Sequence, residues 1–219
     1  AGMAMSTTMT AQVKGLNMAV KNANDAISMI QTADGASIEI GDMLQRMREL
    51  GVQAVNGTLT DADRTQLNLE YQQLMTEVTR VGTNTEWNGT ALLAGSIGSS
   101  GTVTYQIGDT AQTMNVAFGT LTAAGDLGLT GDITGSTSAA AAIVDVDVAI
   151  VALNTQRATY GAAINRLEHT VDNLSNVSMN TQAALSRIQD ADYAAESTAL
   201  AQTQIIAQAG TAMLAQANQ

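Results

Sequence analysis

From Val146 to Ile188 one pattern repeats along the chain. Val146, Ile150, Leu153, Arg157, Tyr160, Ile164, Leu167, Val171, Leu174, Ser178, Thr181, Leu185 and Ile188 alternate spacings of four and three residues. That is the period of a helix lying along another helix, and a stripe of this length needs a partner of similar length. A second stripe supplies one. Met5, Met9, Val13, Leu16, Val20, Ala23, Ile27 and Ile30 follow 4-4-3-4-3-4-3, and after Asp34-Gly35 the pattern resumes through Ile40, Leu44, Met47 and Leu50. The sequence contains no proline, so nothing removes a backbone donor from either helix. Glycines inside the first helix, Gly35 and Gly41, cost about 1 kcal/mol each relative to alanine. Packing along the seam must offset that cost, or the helix bends there. Arg157, Ser178 and Thr181 interrupt the later stripe, and polar seam positions of this kind set register at some cost in stability.

The first helix is predicted over about 3–55, ending where Asn56-Gly57 supplies left-handed residues. Thr60 is a suitable N-cap for a second helix over 61–82, with Asp61 and Asp63 at its positive end. Leu67, Tyr71, Leu74, Val78 and Val81 then repeat 4-3-4-3, so this helix folds back antiparallel on the first. Gly82 and Asn84 end it, and Trp87-Asn88-Gly89 reads as a turn. Over 95–137 the composition shifts to Gly, Thr, Ser and Asp. Within it Val103, Tyr105 and Ile107 alternate, as do Met114, Val116 and Phe118, on either side of Gly108–Gln112, which predicts a β-hairpin with one buried face. Residues 120–137 read as loop with a further short strand. The long C-terminal helix is predicted over 138–187. A tail rich in Ala and Gln follows over 188–219, whose Leu200, Ile205, Ile206, Met213 and Leu214 form an apolar face that seeks another chain. The expected fold class is mainly α: a long antiparallel rod, a coiled-coil-like bundle of two long helices and one short helix, with a small β-hairpin insertion in the middle. Residues 1–94 form one half of the rod and 138–187 the other.

Chemistry is sparse. The net charge of −11 leaves no basic stripe for phosphate, so nucleic acid is excluded as a partner. There is no cysteine, hence no disulfide, thiolate site or thiol nucleophile. No uninterrupted apolar run reaches the roughly 18 residues of a membrane span. His169 is the one histidine, lies off the apolar stripe and is expected to be exposed. The acidic pairs Asp61/Asp63, Asp145/Asp147 and Asp190/Asp192 lack the ligand run and glycine of a calcium loop. Asn56-Gly57-Thr58 and Asn88-Gly89-Thr90 match a glycosylation sequon, but turns account for them. No catalytic, cofactor or metal site is predicted, and the chain reads as a structural protein rather than an enzyme. The most charged short run, Gln45–Thr58, is the best candidate for a recognition surface. Periodicity alone places Leu50 in the seam and Arg46 in solvent.

Several runs resemble bacterial flagellin. Ala1–Ser6 resembles the family's AGLAIS, Lys21–Ser28 its RNANDGIS and Ile30–Ala36 its IQTAEGA. Gln45–Thr58 is similar to QRVRELAVQAANGT, and Gln204–Gln219 to QILQQAGTAMLAQANQ. The resemblance covers about residues 1–94 and 145–219 in the same order. It implies a structural subunit of the extracellular flagellar filament that assembles by packing rod on rod. It also implies an export chaperone and the filament cap as partners, with no cofactor. By resemblance Arg46, Leu50, Gln53 and Glu70 fall on the rod surface that takes part in subunit packing and that Toll-like receptor 5 reads in recognised flagellins. Met47 and Gly51 differ from the commonest residues there. Flagellins continue past the matches to Ala1 and Gln219, so the expectation is a chain shortened at both ends, which keeps the rod and loses much of its capacity to polymerise. Two other readings compete. One is a hook–filament junction protein with flagellin-like ends. The other is a surface protein that binds polysaccharide through the middle segment, where Tyr105 and Phe118, with Trp87 nearby, are the stacking aromatics.

Overall fold

The computed structural model describes residues 2–189 and 193–218. In chain order it has α1 (Gly2–Val55), α2 (Asp61–Asn84), β1 (Glu86–Trp87), β2 (Thr90–Ala91), β3 (Thr102–Gln106), β4 (Thr113–Ala117), α3 (Ser136–Gln189) and α4 (Tyr193–Ala217). The fold is mainly α with a small hairpin, as expected. The chain divides into two compact units, one of Gly15–Ser175 and one of Ala1–Lys14 with Asn176–Gln219.

In the Gly15–Ser175 unit α1 and α3 run antiparallel. Asp34 meets Arg157 and Arg48 meets Asp147, at 2.8 and 2.7 Å, while Gly41 lies against Leu153 and Gly51 against Ile143. Glycine at 41 and 51 lets the helices approach, and α1 runs unbroken through both Gly35 and Gly41. Seam positions of α1 are Leu16, Ala19, Ala23, Ala26, Ile30, Ala33, Ser37, Ile40, Leu44, Met47 and Leu50, all buried. The predicted stripe is thus corrected by one position: Val20 and Ile27 are half-buried flanks, and alanines occupy the seam beside them. Small side chains there allow close interaxial packing. Ser37, buried among them, donates its hydroxyl to the Ala33 carbonyl at 2.8 Å, which satisfies it inside its own helix.

How α1 ends differs from the expectation. Positive φ occurs at Asn88, Gly89, Gly95, Gly98, Ser100, Gly101, Gly119 and Gly128, so Asn56-Gly57 is not a left-handed stop. Arg64 of α2 does that work. Its guanidinium donates from Nε to the Ala54 carbonyl at 2.8 Å and from Nη2 to the Asn56 carbonyl at 3.1 Å. A positive charge on the last carbonyls also complements the negative end of the helix. α2 opens with a capping box in which Thr60 and Asp63 exchange side-chain and backbone bonds. Gly82 does not end α2; it is buried inside the helix, and the Leu121 carbonyl packed against it is what requires a glycine there.

Trp87 is a strand residue, paired with Thr90 across an Asn88-Gly89 turn whose φ angles are 49° and 76°. Two successive positive φ values are the signature of the two-residue hairpin turn. In the second hairpin Val103 pairs with Val116 and Tyr105 with Met114. Met114, Val116 and Phe118 are buried, the one-faced burial that the alternation predicts. Long-range bonds fasten this hairpin to the helices: Asn22 donates to the Gln106 carbonyl, the Tyr105 hydroxyl to Met29 Sδ, and the Tyr160 hydroxyl to the Phe118 carbonyl. Burial pushes the Tyr105 phenol up to about 12 and that of Tyr160 still higher. Residues 120–137 form no strand beyond a single bridge between Thr120 and Ala94. They are nevertheless core, with Leu121, Ala123, Leu127, Leu129 and Ile133 buried. α2 anchors them through Asn68, which accepts from the Ile133 amide, and Gln72, which donates to the Gly131 carbonyl.

Tyr71 is 1% exposed, and its hydroxyl has no hydrogen-bond partner among the described residues. Burial, reinforced by Asp145, pushes this phenol up to about 12. A buried unpaired hydroxyl costs about 1–3 kcal/mol in desolvation. Tyr71→Phe should therefore leave stability unchanged or raise it by up to about 1 kcal/mol in urea denaturation. A loss of that size instead would reveal a partner for the hydroxyl.

The other unit contains the first turns of α1, the end of α3 and α4. Met3, Met5, Ile188, Leu200, Ile205, Ile206, Met213 and Leu214 are all exposed there. The acidic pair Asp190/Asp192 lies outside the described residues.

Candidate functional site

The charged run at the end of α1 forms its cluster with α2, which the antiparallel turn brings alongside. Arg46 Nε donates to Glu70 Oε1 at 2.8 Å and Nη1 to Glu49 Oε2 at 3.0 Å. The three side chains keep 48%, 47% and 69% of their surface exposed. Hydrogen bonding to Glu70, then to Glu49, raises the Arg46 guanidinium above its ordinary value. Gln53 lies two turns further along the same face and is exposed. Leu50 is not part of this surface: it is 0% exposed and belongs to the core, as the seam periodicity implies. Met47 is buried too, and Gly51 packs on Ile143. The two residues that depart from the common flagellin word thus touch the interior.

The structure therefore joins Arg46 and Glu70, places Gln53 beside them, and removes Leu50. It adds Glu49, for which the sequence held a signal: Arg46 and Glu49 are three residues apart on a helix, and such residues are neighbours. The arrangement offers guanidinium and carboxylate groups held in a fixed pattern, a surface suited to recognition.

Elsewhere the candidates resolve into ordinary roles. Asp61 pairs with Arg64, Asp63 closes the capping box, and Asp147 pairs with Arg48. Among the described residues no group of three or more His, Asp or Glu is placed to hold a metal. His169 is exposed beside Gln112 and Asn173. Of the three aromatics that the polysaccharide reading names, Phe118 is 0% exposed and Tyr105 and Trp87 are half-buried, so none is a fully exposed stacking platform.

Similarity to known proteins agrees with this reading. The bacterial flagellin N-terminal helical region matches residues 1–97, and the bacterial flagellin C-terminal helical region matches residues 143–219. A flagellin of Halalkalibacterium halodurans is 43% identical over 222 residues, which span 100% of this chain and 80% of that protein. The chain belongs to the bacterial flagellin family. Flagellin FlaB2 of Treponema pallidum is 42% identical, over 100% of this chain and 81% of the relative. The crystal structure of Bacillus cereus flagellin superimposes with a TM-score of 0.63 at 32% identity, over 75% of this chain and 94% of that one. A protein described as flagellar hook-associated, from Vibrio parahaemolyticus, gives a TM-score of 0.70 at 12% identity, over 83% of this chain and 95% of that one. At that identity the likeness shows a shared fold alone. Fold therefore does not separate flagellin from hook-associated protein; sequence identity does, in favour of flagellin. Flagellins are structural proteins of the flagellar filament, and filament subunit is the function class of this chain.

Proposed function

We propose that this chain builds an extracellular flagellar filament and that the Arg46–Glu49–Glu70 surface, with Gln53, is a face read by protein partners. The partners are a neighbouring subunit in the filament and, by resemblance, Toll-like receptor 5. An export chaperone and the filament cap are further partners on the same ground. The observation that carries the reading is that Arg46 holds carboxylates from two helices while half of its side chain stays open to solvent. Exposed ion pairs contribute only about 0–1 kcal/mol to stability. The cluster can therefore be removed without unfolding the protein, which makes the test a clean one.

Arg46→Ala with Glu70→Ala should lower signalling in a receptor reporter assay at least tenfold, with the melting temperature nearly unchanged. Signalling equal to that of the parent would overturn the role of this face, and an inactive parent would overturn the receptor as a partner. Leu50→Ala serves as the contrast. It acts through the core, where a Leu→Ala cavity costs about 2–5 kcal/mol, so any loss of signalling must come with a lower melting temperature.

A further inference from the structure

The chain holds two Asn-Gly pairs, each followed by threonine: Asn56-Gly57-Thr58 and Asn88-Gly89-Thr90. Asparagine before glycine is where a chain can attack its own side chain, because glycine has no Cβ to shield its amide or limit its rotation. All six residues are exposed, and neither glycine amide makes a hydrogen bond among the described residues. The two surroundings nevertheless differ. Asn88 and Gly89, with φ of 49° and 76°, form the two-residue turn that closes the pairing of Trp87 with Thr90. Among the described residues no donor reaches either oxygen of Asn88. Asn56 sits in the open turn between α1 and α2, and three donors converge on it. The Thr58 amide donates to its Oδ1 at 3.2 Å. Its main-chain carbonyl accepts from the Leu59 amide at 3.3 Å and from Arg64 Nη2 at 3.1 Å. That guanidinium is itself fixed by the Ala54 carbonyl and by Asp61.

We propose that Asn56 is a site of deamidation promoted by the fold of its own turn. The attacking group is the Gly57 amide after it has lost its proton. Peptide resonance spreads that charge onto the Asn56 carbonyl oxygen, where the Arg64 guanidinium offsets it. Attack on Asn56 Cγ moves the charge to Oδ1, which already faces the Thr58 amide; donors set in advance at a developing oxyanion lower the barrier. The Gly57 nitrogen bonds to Cγ, the Cγ–Nδ2 bond breaks, and the nitrogen leaves as ammonia with a proton from solvent that replaces the one Gly57 gave up. Water then opens the succinimide ring at either carbonyl, to give aspartate or isoaspartate, and nothing is oxidised or reduced. Both products add a negative charge beside Arg64. Isoaspartate also adds a methylene to the main chain between α1 and α2, the link that sets Glu70 opposite Arg46. The reaction belongs to the chain itself and does not depend on the filament reading.

The test follows both sites in one sample. The purified protein is incubated at mildly alkaline pH, and peptide mass spectrometry separates aspartate from isoaspartate. In the folded protein Asn56 should react about tenfold faster than Asn88. In guanidinium chloride, where the two share only the Asn-Gly-Thr sequence, the ratio should fall to near one. Arg64→Met separates activation from simple support. Loss of a residue that only held the turn would loosen it and speed the reaction, whereas loss of the activating charge should slow Asn56 about tenfold and leave Asn88 unchanged. Arg64→Lys should restore part of the rate. Gly57→Ala, whose methyl group would meet nothing within 4 Å, should slow Asn56 severalfold by crowding the attacking nitrogen. Equal rates at Asn56 and Asn88 in the folded wild type would overturn the proposal, as would a faster reaction in Arg64→Met. Aspartate formed without isoaspartate would show direct hydrolysis by water and overturn it as well.

Discussion

Replacing Arg64 with methionine is expected to destabilise the Gly15–Ser175 unit by about 2 kcal/mol, which lowers its melting temperature by roughly 4–8 °C at the usual scaling for a unit of this size. Arg64 is 8% exposed. Methionine preserves the length and apolar stem of the side chain but removes every donor. The Ala54 carbonyl, now served by Nε, would be left buried at the helix end without that partner, at a cost of about 1–3 kcal/mol, whereas the exposed Asn56 carbonyl, served by Nη2, keeps the Leu59 amide at 3.3 Å. Asp61, the third partner at 3.0 Å, keeps 93% of its side chain exposed; Asp61→Ala should therefore change stability by less than about 1 kcal/mol. Arg64→Lys should recover only part of the loss, because an ammonium cannot reproduce the guanidinium fork that reaches two carbonyls. Urea denaturation of the three variants checks the ordering. An Arg64→Met variant within about 1 kcal/mol of wild type would show that α1 ends for another reason. The consequence reaches the recognition surface: Arg64 fixes α2 on the end of α1, and Glu70 lies less than two turns further along α2, opposite Arg46.

Arg64 also shows how much of this structure the sequence carries. The stripe of α2 read as Leu67, Tyr71, Leu74, Val78 and Val81, and extending it backwards by three residues lands on Arg64. Periodicity thus marks Arg64 as a seam position. What it cannot supply is the partner, because the carbonyls that Arg64 caps belong to another helix and carry no side-chain identity. The same reasoning separates the rest. Long helices, the hairpin and the inward Leu50 follow from local period and from the absence of proline. The alanines at 19, 26 and 33 share the seam with larger residues, yet a reading weighted by size favours Val20 and Ile27, so the stripe is drawn one position aside. Leu121, Leu127, Leu129 and Ile133 have no period at all, since an irregular segment buries side chains wherever its turns happen to point. At the candidate site the pairing of Arg46 with Glu70 depends on the register between two helices, which no spacing within either one fixes.

Gly82→Ala is expected to cost about 2–4 kcal/mol, whereas Gly35→Ala is expected to stabilise by about 1 kcal/mol, although both glycines lie inside long helices. A methyl group at 35 would meet nothing within 4 Å. The substitution there changes only helix propensity, worth about 0.8–1.0 kcal/mol in favour of alanine. A methyl group at 82 would stand 2.3 Å from the Leu121 carbonyl oxygen and 3.1 Å from Thr122 Cγ2. Backbone cannot rotate away as a side chain can, so the 120–123 segment must move. That segment is tied on its other side by the Leu121 amide, which donates to the Leu93 carbonyl at 2.9 Å, and Leu121 itself is buried. Moving it sacrifices part of the roughly 1.5–3 kcal/mol that burial of one leucine contributes, along with the strain of overpacking, and this exceeds the gain in propensity. The two variants measured side by side in thermal and urea unfolding should move in opposite directions. If both stabilise, Leu121 yields freely and the close approach at Gly82 does not constrain the fold. If both destabilise, Gly35 has a packing role that its open surroundings do not reveal, and a contact with another copy of the chain would be the first place to look for it.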